Sequence, residues 1–522
     1  MNIKFWQSKP NASTAGGEQP KRRMRLGRSL SQLFKSGQAQ GNDNWTVTPV
    51  TPDAYIALHH PTLVARSREQ WSNNDYVRAF VRLVRQNIAG PQGVLMQSKC
   101  EKPRGGLDTE ANKAIEADFD DWGKAGNCDV TGKLSWRAIQ TLVTETTARD
   151  GEFVVRKIYG KSAGPHGFAL QLIDPQRLSV RYENSKVDNE GGFIRHSIEY
   201  NRYGRAVAYH FASVDEWDAY YYSYAGRGFV RVPADEIIHG FVHEQVGQRR
   251  GLPWASTSLF RLHHLQGFED ASVQNARAGA TKMGFIQYRE GFGPEAEDDD
   301  DVAGSIDAEP LSFHELPEGA EFKEFNPNYP AGEFQTFHKA MLRGASAGMG
   351  VLYNTLASDL EGVNFSSIRQ GTLDEREHWK ELQQWLIEAL CIPVFEAWLS
   401  YRLLAGEVKT KNGKPLPASK LAEYKRVVWQ PRRWAWIDPR ADQEANNSSI
   451  RGGQNSFSAV IREQGRDPET VFAELSADLA AMKAAGIPDD YIQLFMFGQQ
   501  PIPEPAEPAD DGGAKSKKST GE

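Results

Sequence analysis

The spacing of apolar positions changes character several times along the chain. In NNDYVRAFVRLVRQNIAG it is helical. Val77, Phe80, Val81, Val84 and Ile88 form one stripe, Asn74 stands where a cap belongs, and Gly90-Pro91 ends the run. GVLMQSKCE then alternates like a strand. Glu110 to Trp122 returns to the helical period, as does Leu134 to Gly151, with Trp136, Ile139, Leu142 and Val143 on one side. From Phe153 to Val242 the period is two. FVVRKIY, FALQLIDPQRLSV, HSIEYNRYGRAVAYHF and EIIHGFVHE read as strands divided by Gly, Pro, Asn and Asp, and Tyr203-Gly204 predicts a hairpin turn.

Helix is expected again from Ala255 to Lys282, a rod of about 40 Å. Short strand-like pieces then flank the acidic stretch Glu295 to Glu309. Its run Glu297, Asp298, Asp299, Asp300 and Asp301 reads as a solvated loop. Phe334 to Met349 is helical. DLEGVNFSSIRQGTLDEREHW, Asp359 to Trp379, passes from a polar, Gly-containing loop into a charged helix. Ser366 or Ser367 is placed to cap that helix, with Gln370 near the reciprocal position. Ser367 to Leu404 is helical, with an interruption at Ile392-Pro393. Trp379, Leu382, Leu386, Ala389 and Leu390 form its apolar stripe, while Glu375, Arg376, Lys380 and Glu381 occupy other faces. YKRVVWQ is strand-like, and the last folded part is helical from Pro439 to about Phe497. Residues 1–45 and the Pro-, Glu- and Lys-rich tail from Pro501 are expected to be poorly ordered. The first of these contains KRRMRLGRSLSQLFK, a basic amphipathic stretch. Lys21, Arg22, Arg23, Arg25 and Arg28 offer charge for nucleic acid or another surface; otherwise the stretch is a solvated arm.

A chain of 522 residues exceeds what one core usually serves, so two to four domains are expected. Its 39% apolar content is enough to build them. No run approaches the ~18 apolar residues of a membrane span, and no apolar stretch follows a basic start as in a secretory signal. Cys100, Cys128 and Cys391 are scattered, which gives neither a disulfide framework nor a zinc signature and fits a reducing compartment. A net charge of −7 argues against a protein that grips phosphate over its whole surface, and leaves room for DNA that slides past.

The candidate chemistry is thin. His239 and His243 have helical metal-pair spacing, but they lie in a strand pattern that would hold them about 13 Å apart. Asp118, Asp120 and Asp121 could serve a metal-dependent nuclease only with a further distant carboxylate; a solvated helix end is the simpler reading. Ser366, Asp374 and His378 include a triad's residue types without a nucleophile elbow, so Asp374 and His378 read as a surface ion pair. No metal, cofactor or catalytic site is expected, and the motifs argue against an enzyme.

Several collinear stretches resemble the lambda family of phage portal proteins: SNNDYVRAFVRLVRQNIAGPQG, FNPNYPAGEFQTFHKAMLRGASAGMGVLYNTLASDL, VNFSSIRQGTLDERE and DPRADQEANNSSIRGGQNSFSAVIREQGRDPETVFAEL. Together they cover about Asn73 to Leu479. The resemblance implies an α+β portal fold and a ring, typically dodecameric, at one vertex of a phage head. The implied parts are a flexible basic arm (1–45), a wing (46–254 and 367–438), a two-helix stem (255–282 and 334–350), a clip (283–333), a helical crown (439–497) and a disordered tail (498–522). A loop at 351–366 would face the channel, with Asn354, Thr355, Ser358, Asp359, Glu361, Asn364, Phe365 and Ser366. No basic residue occurs there, and Asp359 and Glu361 would repel phosphates; Leu352, Tyr353 and Phe365 could pack against neighbouring subunits. The implied partners are double-stranded DNA, the terminase large subunit docking on the clip, a head-completion or adaptor protein that replaces it, and the major capsid and scaffold proteins, with no membrane. The implied location is the virion, after assembly in the host cytoplasm. The alternatives are another ring-forming head-tail connector, or the nuclease.

Overall fold

The computed structural model describes residues 50–103, 105–187, 191–213, 228–280, 284–289, 319–324, 334–434, 439–463, 466, 468–489 and 491. Lys21 to Arg28 of the basic arm, the acidic run Glu297 to Asp301 and the tail from Pro501 lie outside the described residues.

The Asn74 side chain accepts from the amides of Tyr76 (3.0 Å) and Val77 (3.2 Å). The helix it starts, Asp75–Ile88, buries the five residues of the expected stripe. Another helix precedes it, Pro52–Asn73, which the apolar spacing did not reveal. It buries Ile56, His60, Val64, Ser67 and Gln70, so the helical period is present but three of its five inward residues are polar. Pro61 inside it further obscures the pattern.

Thr109–Trp122 and Trp136–Asp150 complete the first helical layer. Leu142 departs from expectation: it is exposed, while Trp136, Ile139 and Val143 face the core. The core's aromatic centre joins distant parts of the chain. Phe119 meets Phe395 at 5.5 Å and Trp398 at 4.9 Å between ring centres, and the Trp122 indole donates to the Phe168 carbonyl (2.8 Å).

The sheets are antiparallel. Glu152–Tyr159 lies between Phe168–Ile173 and Ile237–Phe241. Phe193–Arg195, Ile198–Tyr200, Ala206–Ala212 and Phe229–Pro233 form a meander, whose Gly204 takes the positive φ (+79°) of the expected hairpin turn. Leu95–Ser98 pairs antiparallel with Val427–Gln430, whose Trp429 ring meets Phe395 edge-on (5.9 Å). The mixture of helical layers and antiparallel sheets is α+β.

The helix expected from Ala255 runs as Leu259–Ala280, about 33 Å long, because Ala255 to Ser258 form turns. Gly284–Tyr288 and Ala320–Glu324 pair as a ribbon between it and the returning helix Phe334–Gly348. The long helix Phe365–Leu386 continues through a π-turn, Ile387–Cys391, into Ile392–Leu404. The expected interruption at Pro393 is therefore a widened turn rather than a break. The wider turn accommodates a residue that has no amide to donate and would crowd the carbonyl one turn back. The described C-terminal helices are Pro439–Arg451, Phe457–Glu463 and Pro468–Ala484.

Candidate functional site

The outgoing helix Leu259–Ala280 and the returning helix Phe334–Gly348 are joined side to side. Phe268 packs on Phe334 (5.4 Å) and Phe337 (5.0 Å). The His338 Nε2 lies 2.5 Å from Glu269 Oε1 and 3.3 Å from the Tyr76 hydroxyl. At their base the Ser258 hydroxyl donates to the Ala345 carbonyl (2.8 Å), and Gly348 is so close that a Cβ there would lie 2.5 Å from Ser258 Oγ.

The chain then turns at Gly350 (φ +69°), forms the short helix Tyr353–Ala357, and leaves it through Ser358 in the left-handed region (φ +53°). Asp359 is the knot of the loop that follows. Its carboxylate accepts from the Tyr353 hydroxyl (2.7 Å) and the Glu361 amide (3.0 Å), and pairs with Lys339 (3.2 Å). Its own carbonyl accepts from Asn354 Nδ2 (2.7 Å). The Tyr353 hydroxyl first, then the Glu361 amide and Lys339, hold the Asp359 carboxyl at about 2. Lys339 also pairs with Glu361 (3.1 Å), and Thr355 donates to Glu375 (3.1 Å) on the long helix.

This geometry corrects two expectations, on the charge of the loop and on the helix cap. The loop contains no basic residue, but Lys339 on the preceding helix binds both of its acids, so Asp359 and Glu361 are not bare negative charge. Leu352 and Tyr353 pack within the chain. A Cβ at Gly371 would lie 3.1 Å from a Leu352 methyl, and the Arg343 cation lies 5.4 Å from the centre of the Tyr353 ring. The helix begins at Phe365 with Asn364 as its cap, accepting from the Ser366 amide (3.0 Å); neither Ser366 nor Ser367 caps it.

The residues considered for catalysis do not converge. Asp118 pairs with Arg402 through both oxygens (2.9 and 2.6 Å), and Asp121 pairs with Lys124 (2.7 Å). Asp374 accepts from Gln370 (3.0 Å), not from His378; the His378 ring lies against Gly350, where burial pushes its imidazole down. The His239 Nε2 lies 3.0 Å from Glu152 Oε2, whereas His243 stands exposed beyond the end of its strand. Among the described residues no three His, Cys, Asp or Glu side chains gather as metal ligands, and no helix is long and apolar enough to cross a membrane.

The sequence profile of the lambda family of phage portal proteins matches residues 38–383, and the chain belongs to that family. It is accordingly a portal protein of a capsid vertex, a structural component of a virion. It is 35% identical over 491 residues to a probable portal protein of Halomonas phage phiHAP-1, covering 92% of this chain and 93% of the relative. It is 20% identical over 490 residues to the portal protein of Escherichia phage N15, covering 86% and 89%. A solved neck of an empty GTA particle, computed with C6 symmetry, aligns with 78% of this chain and 94% of that chain at 15% identity and a TM-score of 0.41.

Proposed function

We infer that the chain closes into a ring, typically of twelve copies, through which double-stranded DNA enters and leaves the head. In this reading Leu259–Ala280 and Phe334–Gly348 are the stem, the ribbon at their far end belongs to the clip, and the layers before and after them form the wing. The C-terminal helices are the crown. The terminase large subunit docks on the clip and later gives way to a head-completion protein, while capsid and scaffold proteins hold the ring in the shell. Assembly takes place in the host cytoplasm.

The observation that carries this reading is the loop at Ser358–Asn364. It follows directly from the stem pair, exposes Leu360 (69%), and is anchored at one point by Lys339 and Tyr353. Such a loop can face a moving duplex without holding it, because Lys339, the cation beside it, is already engaged by two carboxylates. A ring of free lysines would bind phosphate instead. The double variant D359K/E361K removes both partners of Lys339 and adds two cations per subunit. Packaging in a reconstituted motor assay should slow, and should slow most at low salt. Wild-type packaging rates at low salt would contradict the assignment of the loop to the channel.

A further inference from the structure

Loops normally run over the surface. The turn between strands Phe193–Arg195 and Ile198–Tyr200 does not: its two residues, His196 and Ser197, are fully buried. Both have positive φ (+55° and +65°), the form that two-residue hairpins take and that Asn-Gly fills with least strain. Histidine and serine are poor choices for it on backbone grounds, so the compensation has to come from what their side chains meet. The Ser197 hydroxyl donates to the Ser179 carbonyl (2.7 Å), which accounts for the serine.

The histidine is accounted for on one side of its ring. Nδ1 lies 3.1 Å from the Val180 carbonyl oxygen and 3.6 Å from a Glu183 carboxylate oxygen. Both are acceptors, so Nδ1 carries the ring proton and donates. Burial first, and the Arg250 charge beside it, push the imidazole below its ordinary value, so Nε2 is a bare acceptor at neutral pH. It faces a second acceptor, Oδ1 of Asp53, at 3.7 Å, in the first turn of helix Pro52–Asn73. Both atoms are shut off from solvent, and neither has a hydrogen-bond partner among the described residues. Asp53 meets Arg249 through its other oxygen.

Two buried acceptors cannot satisfy each other, but one donor with two hydrogens satisfies both. A water oxygen about 2.8 Å from each spans that separation with its hydrogen bonds bent by about 10°, well inside the tolerated range. Val180 and Arg250, which both hydrogen-bond to His196, also line a cavity of about 40 Å³ with His60 and Ser179. One water needs only about 10–15 Å³ of such space. We propose that a water molecule bridges His196 Nε2 and Asp53 Oδ1, donating one hydrogen to each, and so joins the first helix to the buried tip of the hairpin. This is why a histidine occupies a turn that favours asparagine and glycine. The site lies within one chain and does not depend on ring assembly.

The test is a structure of the full-length protein from data fine enough to place ordered water. A peak about 2.8 Å from both atoms is expected. A peak at about 2.1 Å would be a metal ion instead. That result, direct contact of Nε2 with Oδ1, or no peak between them would overturn the proposal. Magic-angle-spinning NMR with isotope-labelled histidine reads the protonation state independently. The His196 ring, identified by the signal missing from His196→Gln, should be neutral at pH 7 with its proton on Nδ1, and Nε2 should receive magnetisation from water. An imidazolium, a proton on Nε2, or no transfer from water would also overturn it. The structural arm needs no variant, so it stands even where that substitution disturbs folding.

Discussion

Glu152 keeps its charge in a fully buried position because its neighbours are donors. Arg250 (2.9 Å), the Gly251 amide (3.1 Å) and His239 (3.0 Å) all reach its carboxylate. Burial alone would raise its carboxyl, but Arg250 and His239 outweigh that and hold it well below the usual range. His60 sits in the same cluster, 3.8 Å from Glu152, with the opposite result. Burial first and the Arg250 charge second push its imidazole down to about 4, although Glu152 pulls the other way. An unfolded histidine titrates near 6.5, so between these values the unfolded chain binds more protons and stability falls as the pH falls. The loss from pH 7 to pH 5 should be about 2 kcal/mol from this residue. Denaturation midpoints of wild type and His60→Gln at the two values measure it: the variant should lose less stability on acidification. Equal losses would show that His60 does not titrate in this window.

At the scale of elements, the same cluster ties strand Glu152–Tyr159 to the segment that leads to helix Leu259–Ala280. Gly151 ends Trp136–Asp150 in the left-handed region (φ +96°), and a Cβ on it would lie 2.4 Å from the Leu252 carbonyl carbon. Two backbone segments touch there, one entering strand Glu152–Tyr159 and one leading to helix Leu259–Ala280. Gly151→Ala should therefore cost about 2 kcal/mol or more, from strained φ and backbone overlap together. A thermal midpoint within a degree of wild type would refute this contact. Elements with apolar inward faces, such as Asp75–Ile88 and the long helix with Trp379, Leu382, Leu386 and Leu390, were legible in the sequence. Pro52–Asn73 was not, because His60, Ser67 and Gln70 take inward positions; the Ser67 hydroxyl donates to the Arg149 carbonyl, and His60 lies beside Glu152, contacts that only the fold creates. The loop was legible as a polar segment before a helix. Its anchor was not, because Lys339 precedes the loop on another helix and only the fold brings the two together. The cap was missed by two residues because Asn364 and Ser366 are both good caps, and only the backbone chooses between them.

At the scale of the whole molecule, a net charge of −7 repeated around a ring would give an assembly that DNA can pass without adhering. Closure requires each copy to repeat one heterologous contact until the rotation is complete. The central claim is that this chain is such a ring, and it is tested most directly by the mass and shape of the purified full-length protein. Native mass spectrometry with negative-stain images should show a closed ring of about a dozen copies around a central hole. A compact dimer that cuts DNA in the presence of magnesium would contradict the account.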